Sequence, residues 1–600
     1  MVAVHVPTEP VTPETMLPEL FQTYPQTRAV FDRYGLSGCG GRLGPVESVR
    51  FFARSHGVDE SRLLAEIRQA IENPASVQAE AETAAAESVA DTVYRRFFLA
   101  GIVLILTAGA TWGAWLLWKI GFAGGFTTAN SIHEVNAHGH AQIFGWVGLF
   151  IMGFAYQAFP RVWHTRLAAP RLAVAAFILM LVGLVGSTAG LTLAGRWALA
   201  VPAAVAGGLL EVVAVLIFTG QILVTFRRSE ARLEPYVGFA IAALFWFVAM
   251  SVMSVWHAYK TMTAATEAEL LWYVATYQAP LRDLQIHGLA LFMILGVCLR
   301  MLPGLFNAPQ VSDRRAWWSL GILTVAVLGE SILFVVYRWT GNHALAGALM
   351  IPWLMLAGGV ALIALPWRLW RPFPESDRSA KFVRTAYAWL AISIVMLLLL
   401  PVYQYASGIP FSHAYYGAIR HAITVGFISL MIMGFAAKVV PTLNGIDTRQ
   451  LPALWGPFAL VNLGCFLRVS TQTLTDWHPA FFGIIGLSGT LEVAGLAWWG
   501  AGLVAIMLRG RRESVELVQI RAPRPARIEP THRVADVLDW FPQTECLFVE
   551  RGFAAVQNRL LRRTLARQVS VGQACRMHGV DAEQFVAALN AKAIASSSPA

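Results

Sequence analysis

The sequence predicts an all-α fold: a polytopic membrane bundle of twelve transmembrane helices in three four-helix repeats, with a small helical soluble module at each end. Three observations support this prediction. Of the 600 residues, 56% are hydrophobic and only 14% are charged, whereas about a quarter of the residues of a soluble protein are charged. Twelve apolar stretches are long enough to cross a bilayer, which takes roughly 20 residues. Long segments also recur at a fixed interval.

The apolar stretches occupy the middle of the chain. They lie near residues 97–121, 138–160, 170–192, 197–225, 235–258, 283–304, 315–337, 344–367, 382–405, 413–442, 453–473 and 480–508. The expected organisation is a soluble module at 1–75, a linker at 76–96, the membrane domain at 97–508, a linker at 509–530 and a second module at 531–595. The composition of the first linker favours helix, whereas the prolines of the second favour an extended chain.

The second and tenth stretches carry the clearest repeat. Segment His140–Pro160 aligns without gaps with His421–Pro441, 281 residues further on. The same offset relates three more pairs: Gly153 and Gly434, Gly183 and Gly464, and Glu211 and Glu492. A weaker copy in the sixth stretch, His287–Pro303, keeps the seven-residue step from a glycine to the closing proline. The twelve stretches therefore divide into three related groups of four.

Lysine and arginine concentrate in alternate loops, which the positive-inside rule places on the cytoplasmic side. These residues are Arg161, Arg166, Arg171, Arg227, Arg228, Arg232, Arg314, Arg315, Arg368, Arg371, Arg378, Lys381 and Arg384. Both termini are then cytoplasmic, and the histidine-bearing starts of the second, sixth and tenth stretches face outward. The first 95 residues are polar and lack the apolar core of a signal peptide.

The expected location is therefore the cytoplasmic (inner) membrane of a bacterium, with the chain crossing the lipid many times. The loop bias largely explains the formal net charge of +10. A nucleic-acid partner is accordingly not expected.

The two soluble ends resemble each other. The shared segments are YPQT at 24–27 with Gly35 and FPQT at 541–544 with Gly552, followed by HGVD at 56–59 and at 578–581. The spacing predicts two or three short helices, with the glycine as a helix C-cap and the aspartate as the N-cap of the last helix. Both ends also resemble a small bacterial domain of unknown function that often accompanies redox and nitrogen-oxide proteins. We expect them to bind a cytoplasmic protein partner or to act as regulatory caps.

Histidines at the starts of the apolar stretches are candidate cofactor ligands, since imidazole is a common ligand of haem iron and copper. His138 and His140 lie two residues apart and point in different directions on a helix, so only one of them faces the bundle. The repeat favours His140, because His421 occupies the equivalent place. Two histidines at equal depth on facing helices suit a haem b held by two imidazoles. Sequence reasoning therefore favours the pair His140 and His421, with His138 as the less favoured neighbour.

Three further histidines are candidates for a copper or a second haem. His413 lies eight residues before His421 on nearly the same helix face. His287 begins the third copy, where Asp283 stands at the position aligned with His140. His257 lies at a comparable level near the end of the fifth stretch.

Glutamates within the apolar stretches also require an explanation. A carboxylate in a bilayer costs about 2.5–3.5 kcal/mol unless it is protonated or paired. Glu211, Glu330 and Glu492 lie at such positions. They either hold the repeats together or form a proton path.

The segments HGHAQIFGWVGLFIMGFAYQAFPR and RHAITVGFISLMIMGFAAKVVP resemble the NnrS family, twelve-span haem and copper membrane proteins tied to nitric oxide metabolism. The arrangement is also similar to the catalytic subunit of haem-copper oxidases, where spans two and ten supply haem ligands and span six contributes to copper. Two departures weaken the oxidase comparison. The seventh stretch has no histidine pair, and the H-x-H of span ten is replaced by His413 and His421.

The resemblance implies a haem-binding protein that has copper as a second cofactor and interacts with nitric oxide. Two alternatives remain open at this point. One is a nitric oxide reductase or oxidase, an oxidoreductase that would need an open position on iron. The other is a proton-coupled transporter built on internal repeats.

Overall fold

The computed structural model describes residues 11–72, 89–375, 377–520, 525, 527–553, 556, 566 and 569–595. These residues are helical, with no strand among them beyond two isolated bridges. The chain forms two compact units, Met1–Leu508 and Arg509–Ala600. The predicted first linker lies partly outside the described residues, and its last residues already belong to the first long helix.

Twelve long helices follow the predicted stretches in order. They are α1 Val89–Ala123, α2 Ile132–Val162, α3 Pro170–Thr192, α4 Ala200–Arg228, α5 Pro235–Met262, α6 Glu267–Phe306, α7 Asp313–Thr340, α8 His343–Ala364, α9 Ala380–Leu398, α10 His413–Leu443, α11 Trp455–Leu474 and α12 Pro479–Arg509. Within the described residues, 11 of them are long and apolar enough to cross a membrane. The exception is α11, whose 20 residues include Asn462, Arg468 and Gln472.

The three histidine-bearing helices form the centre of the bundle. In their most apolar stretches, 94% of α2, 72% of α10 and 61% of α6 is buried, against 28–56% for the other eight membrane-length helices. A hydrogen bond from Trp146 Nε1 to Ser429 Oγ (3.1 Å) joins α2 to α10. Another, from Arg282 Nη2 to Asn136 Oδ1 (3.3 Å), joins α6 to α2.

Each central helix contains an eight-residue π-helical segment near its histidine. The segments are Ala141–Gly148, Leu284–Leu291 and Ala422–Ser429. The first and third are related by the same 281-residue offset as the sequence repeat. π-Helical turns are rare and are often found at functional sites.

The N-terminal module packs on the ends of all three central helices, which we call the module end of the bundle. Its helices are Leu17–Thr23, Arg28–Phe31, Val49–His56 and Glu60–Glu72. Arg161 of α2 donates to Ser37 O (2.8 Å), Arg54 donates to Gly304 O of α6 (3.0 Å), and the Gly40 amide donates to Leu443 O of α10 (3.0 Å). The opposite end, where the central histidines lie, is the histidine end.

The second unit contains the helices Val534–Trp540, Glu545–Glu550, Val571–His578 and Ala582–Ala595. Its local structure repeats that of the N-terminal module. Gly57 and Gly579 both end a helix at positive φ, 71° and 67°. Asp59 and Asp581 both accept a hydrogen bond from the amide three residues later, at 2.8 and 2.9 Å. These contacts confirm the predicted aspartate N-caps, and the glycines predicted as C-caps, Gly35 and Gly552, also have positive φ, 93° and 89°.

Candidate functional site

His140 is turned toward α3 and α4. Its Nε2 lies 2.9 Å from Glu211 Oε1 and 3.0 Å from Ser187 Oγ, and its ring stacks on Phe144 with centroids 4.5 Å apart. His140, Glu211 and Ser187 are all buried. The Nε2 atom of this imidazole is therefore already engaged by a carboxylate and a hydroxyl.

His138, two residues earlier, points to the other side of α2, as helical geometry requires. Its Nδ1 lies 3.0 Å from the carbonyl oxygen of Gly109 on α1. Gly113 allows this approach, because a Cβ on it would lie 2.3 Å from His138 Cε1. A carbonyl oxygen only accepts hydrogen bonds, so Nδ1 carries the proton and the lone pair is on Nε2.

His421 on α10 has the same arrangement as His138. Its Nδ1 lies 2.7 Å from Gly417 O, one turn earlier on the helix. In the part of the chain that the structure describes, neither His138 Nε2 nor His421 Nε2 has a hydrogen-bonding partner. The two imidazoles are close enough to interact electrostatically. The structure thus brings His138 toward His421 and directs His140 away, toward Glu211.

Buried polar atoms without a partner surround His421. Arg468 of α11 is 6% exposed, and within the described residues its Nε and Nη1 lack a hydrogen bond, as do Gln472 Oε1 and Glu492 Oε1. Arg468 lies within electrostatic range of both His138 and His421. The site therefore combines two imidazoles with a buried, unsatisfied guanidinium.

A second cluster lies between α6 and α7. His287 Nδ1 is 2.8 Å from Glu330 Oε1, and ligand atoms of Asp283, His287 and Glu330 all lie within 4.8 Å of one another. In the described ranges it is the one group of three or more histidine, cysteine, aspartate or glutamate side chains that converges in this way. A cavity of about 40 Å³ opens beside it, lined also by Tyr416 and Arg420.

The other two candidate histidines lie apart from both clusters. His257 is 4% exposed, and its Nε2 has no partner among the described residues; Arg282 and His133 lie near it. His413 begins α10 next to Phe411, with ring centroids 4.8 Å apart. The structure does not bring His257, His287 and His413 together.

The comparison with protein families matches the part of the chain that forms these long helices. A family model described as NnrS protein matches residues 89–511, most of the chain. The chain belongs to the NnrS family. A second model, for a domain of unknown function (DUF1858), matches residues 528–586. A search of curated proteins found no match.

Sequence reasoning on this NnrS-family chain did not single out Arg468. One signal could have done so, since Arg468 stands 281 residues after Ser187, at the equivalent place in the repeat. Sequence reasoning also noted Asp283 and Glu330 separately, on different helices, and did not predict that they meet. Only the packing of α6 against α7 shows that they meet.

Proposed function

We propose that this protein binds haem b between α2 and α10, where His138 and His421 would hold the iron, and acts in nitric oxide or nitrosative-stress metabolism. The observation that supports this most directly is the pair of Nδ1 hydrogen bonds to Gly109 O and Gly417 O. Such bonds fix the tautomer and orientation of metal-binding imidazoles and leave Nε2 for the metal. Haem iron, when held there by two imidazoles, would supply electron transfer.

The surroundings of the two histidines fit an acidic ligand. An arginine within a bilayer costs at least about 2.5 kcal/mol when it is not compensated. Glu492 lies near Arg468, but two nitrogens of this guanidinium have no hydrogen-bonding partner among the described residues. An acidic substituent, such as a haem propionate, would pair with it. Gly113 supports the proposal as well, because it leaves room for the His138 ring.

His140 has a different role in this proposal from the one that the sequence favoured. Its bonds to Glu211 and Ser187 hold α2 against α3 and α4. Glu211 then acts as a structural contact between helices of one four-helix group, which differs from the two alternatives that the sequence left open, a contact between repeats and a proton path.

Copper is not part of the proposal. Copper sites in proteins are built mainly from several imidazole and sulfur ligands. In the part of the chain described here, His257 and His413 do not join His287 in one group. The cofactor proposed is therefore haem alone.

We also propose that the membrane domain consists of three related groups of four helices, with α11 as a true span. The π-helical segments at matching places in α2, α6 and α10 support this. So does a shared contact: a Cβ on Gly183 would lie 2.8 Å from Glu211 Cγ, and a Cβ on Gly464 would lie 2.7 Å from Glu492 Cγ.

The test is the absorption spectrum and haem content of the purified protein and three variants. The expected result is a low-spin haem spectrum in the parent that is lost in His138→Ala and His421→Ala. His140→Gln is the matched control and should keep it, since this histidine is assigned to a structural contact. A colourless parent protein, or loss of haem in His140→Gln with retention in His138→Ala, would contradict the proposal.

A further inference from the structure

The cluster of Asp283, His287 and Glu330 lies outside the proposed haem site. Asp283 and His287 are four residues apart on α6, at the start of the π-helical segment Leu284–Leu291. Glu330 comes from the middle of α7 and is 2% exposed. Two carboxylates and one imidazole therefore converge inside the bundle.

We propose that these three side chains bind a single divalent transition-metal ion of the hard-to-borderline class, such as Fe²⁺, Mn²⁺ or Zn²⁺. Carboxylate oxygens together with one imidazole suit these ions, whereas sulfur-rich sites select Cu⁺. The proposal does not depend on haem binding.

The distances suit such an ion. Two ligand atoms that are each about 2.1 Å from one ion, at right angles, lie about 3 Å apart. His287 Nδ1 and Glu330 Oε1 are 2.8 Å apart, and the Asp283 ligand atom lies within 4.8 Å of both. Small shifts of the Asp283 side chain would complete a three-ligand site.

A second His–Glu pair, His140 and Glu211, makes the same kind of contact in a place that has no third carboxylate or histidine ligand among the described residues. His140 and Glu211 lie at a similar distance, 2.9 Å. Their third partner is the Ser187 hydroxyl, whose single proton can go to the carboxylate or to Gly183 O. That contact is a closed hydrogen-bonded group. At His287 the third partner is instead a second carboxylate, and a cavity of about 40 Å³ lies beside it.

The charges also favour a cation. Two carboxylates this close repel each other inside the membrane, where charge is poorly screened. Arg420, which lines the same cavity, offsets one negative charge. A divalent ion would balance the other and leave a positive site that takes a water-derived or substrate anion. The cavity has room for such a ligand, since one water needs roughly 10–15 Å³.

The experiment measures metal bound to the purified full-length protein after incubation with excess Mn²⁺ or Zn²⁺ and removal of free ion. The expected result is about one ion per chain in the parent. Asp283→Asn and Glu330→Gln should each weaken binding at least about tenfold, as loss of a ligand does. Glu211→Gln, the matched control from the other His–Glu pair, should bind as the parent does. The electron paramagnetic resonance spectrum of bound Mn²⁺ reports the site directly.

Glu330→Asp provides a second test that preserves charge. Because the shorter side chain withdraws the carboxylate from His287, Mn²⁺ affinity should fall although the helices stay intact. A parent that binds no Mn²⁺ or Zn²⁺, or a Glu211→Gln variant that loses as much metal as Glu330→Gln, would overturn the proposal. Binding of copper alone would overturn the assigned class of ion.

Discussion

At the scale of single residues, position 468 accounts for the different directions of His140 and His421. Ser187 lies between His140 and Glu211 and bonds to both. At the equivalent place, Arg468 lies near Glu492. Glu492 has a cation near it, whereas Glu211 has a histidine beside it. His421 therefore bonds to its own backbone and keeps Nε2 free.

Replacing Arg468 by serine should make the environment of His421 like that of His140. In Arg468→Ser we expect His421 to turn toward Glu492, so haem affinity should fall about 10- to 100-fold, as is typical when a residue that orients a ligand is changed. Haem titration of the purified variant measures this. Arg468→Lys, which keeps the charge, is the control and should lose much less.

Glu47 in the N-terminal module makes its docking sensitive to pH. Burial raises the pKa of this carboxyl from 4.5 to about 8, against the opposing effect of Lys438. The docked module then binds more protons than the released one, so this contribution to stability is complete below about pH 4.5 and is lost as pH rises through about 8. Hydrogen exchange in Val49–His56, corrected for its intrinsic pH dependence, should therefore increase between pH 6.5 and 8.5. In Glu47→Gln the increase should be much smaller; an identical increase would refute this assignment.

Sequence reasoning did not predict the direction in which each histidine side chain points. Position in the repeat marked His421 and the start of α2 as candidate ligand positions. It favoured His140 over His138, although the structure turns His140 toward Glu211. A repeat fixes backbone position, whereas side-chain direction depends on neighbours from other helices. Ser187 and Arg468 differ, so the equivalent histidines have different partners.

At the scale of helices, the sequence was more informative. Hydropathy located the 11 helices of the described residues that are long and apolar enough to cross a membrane, because burial in lipid requires long apolar runs. It did not reveal the π-helical segments, since these depend on how α2, α6 and α10 pack. It also placed a span over α11, which is less apolar than the other long helices because Asn462, Arg468 and Gln472 interrupt the apolar run.

Close helix packing at Gly183 gives a prediction about stability. A Cβ on Gly183 would lie 2.7 Å from Gly207 O, a backbone atom of α4 that cannot move freely. Gly183→Ala should therefore cost about 1–3 kcal/mol, as overpacking usually does, and lower the thermal unfolding temperature in detergent. Gly220→Ala is the control, because a Cβ there would meet nothing within 4 Å. Equal unfolding temperatures for the two variants would contradict this packing.

At the scale of the whole molecule, the arginine-rich loops support a cytoplasmic module end. We propose that both termini lie in the cytoplasm of a bacterial cell, with the histidine end facing outward. The native cysteines allow a test, since Cys546 is exposed and the other four are buried.

A maleimide that does not cross membranes should label Cys546 in inverted membrane vesicles and leave it unlabelled in intact spheroplasts. The reason is that only inversion exposes the cytoplasmic face to the reagent. Cys546→Ser is the control and should abolish labelling in both preparations. Labelling of the parent protein in spheroplasts would place the C-terminal unit outside.

The docking of the N-terminal module has a mechanical consequence. One small body holds Arg161, Gly304 and Leu443, which terminate the three innermost helices. A cytoplasmic protein that binds the N-terminal module in competition with these helix ends would release α2, α6 and α10 together rather than one of them. Under the proposed function, α2 and α10 carry the two histidines that would hold haem, so such a competitor would change the geometry of the haem site from the opposite end of these helices.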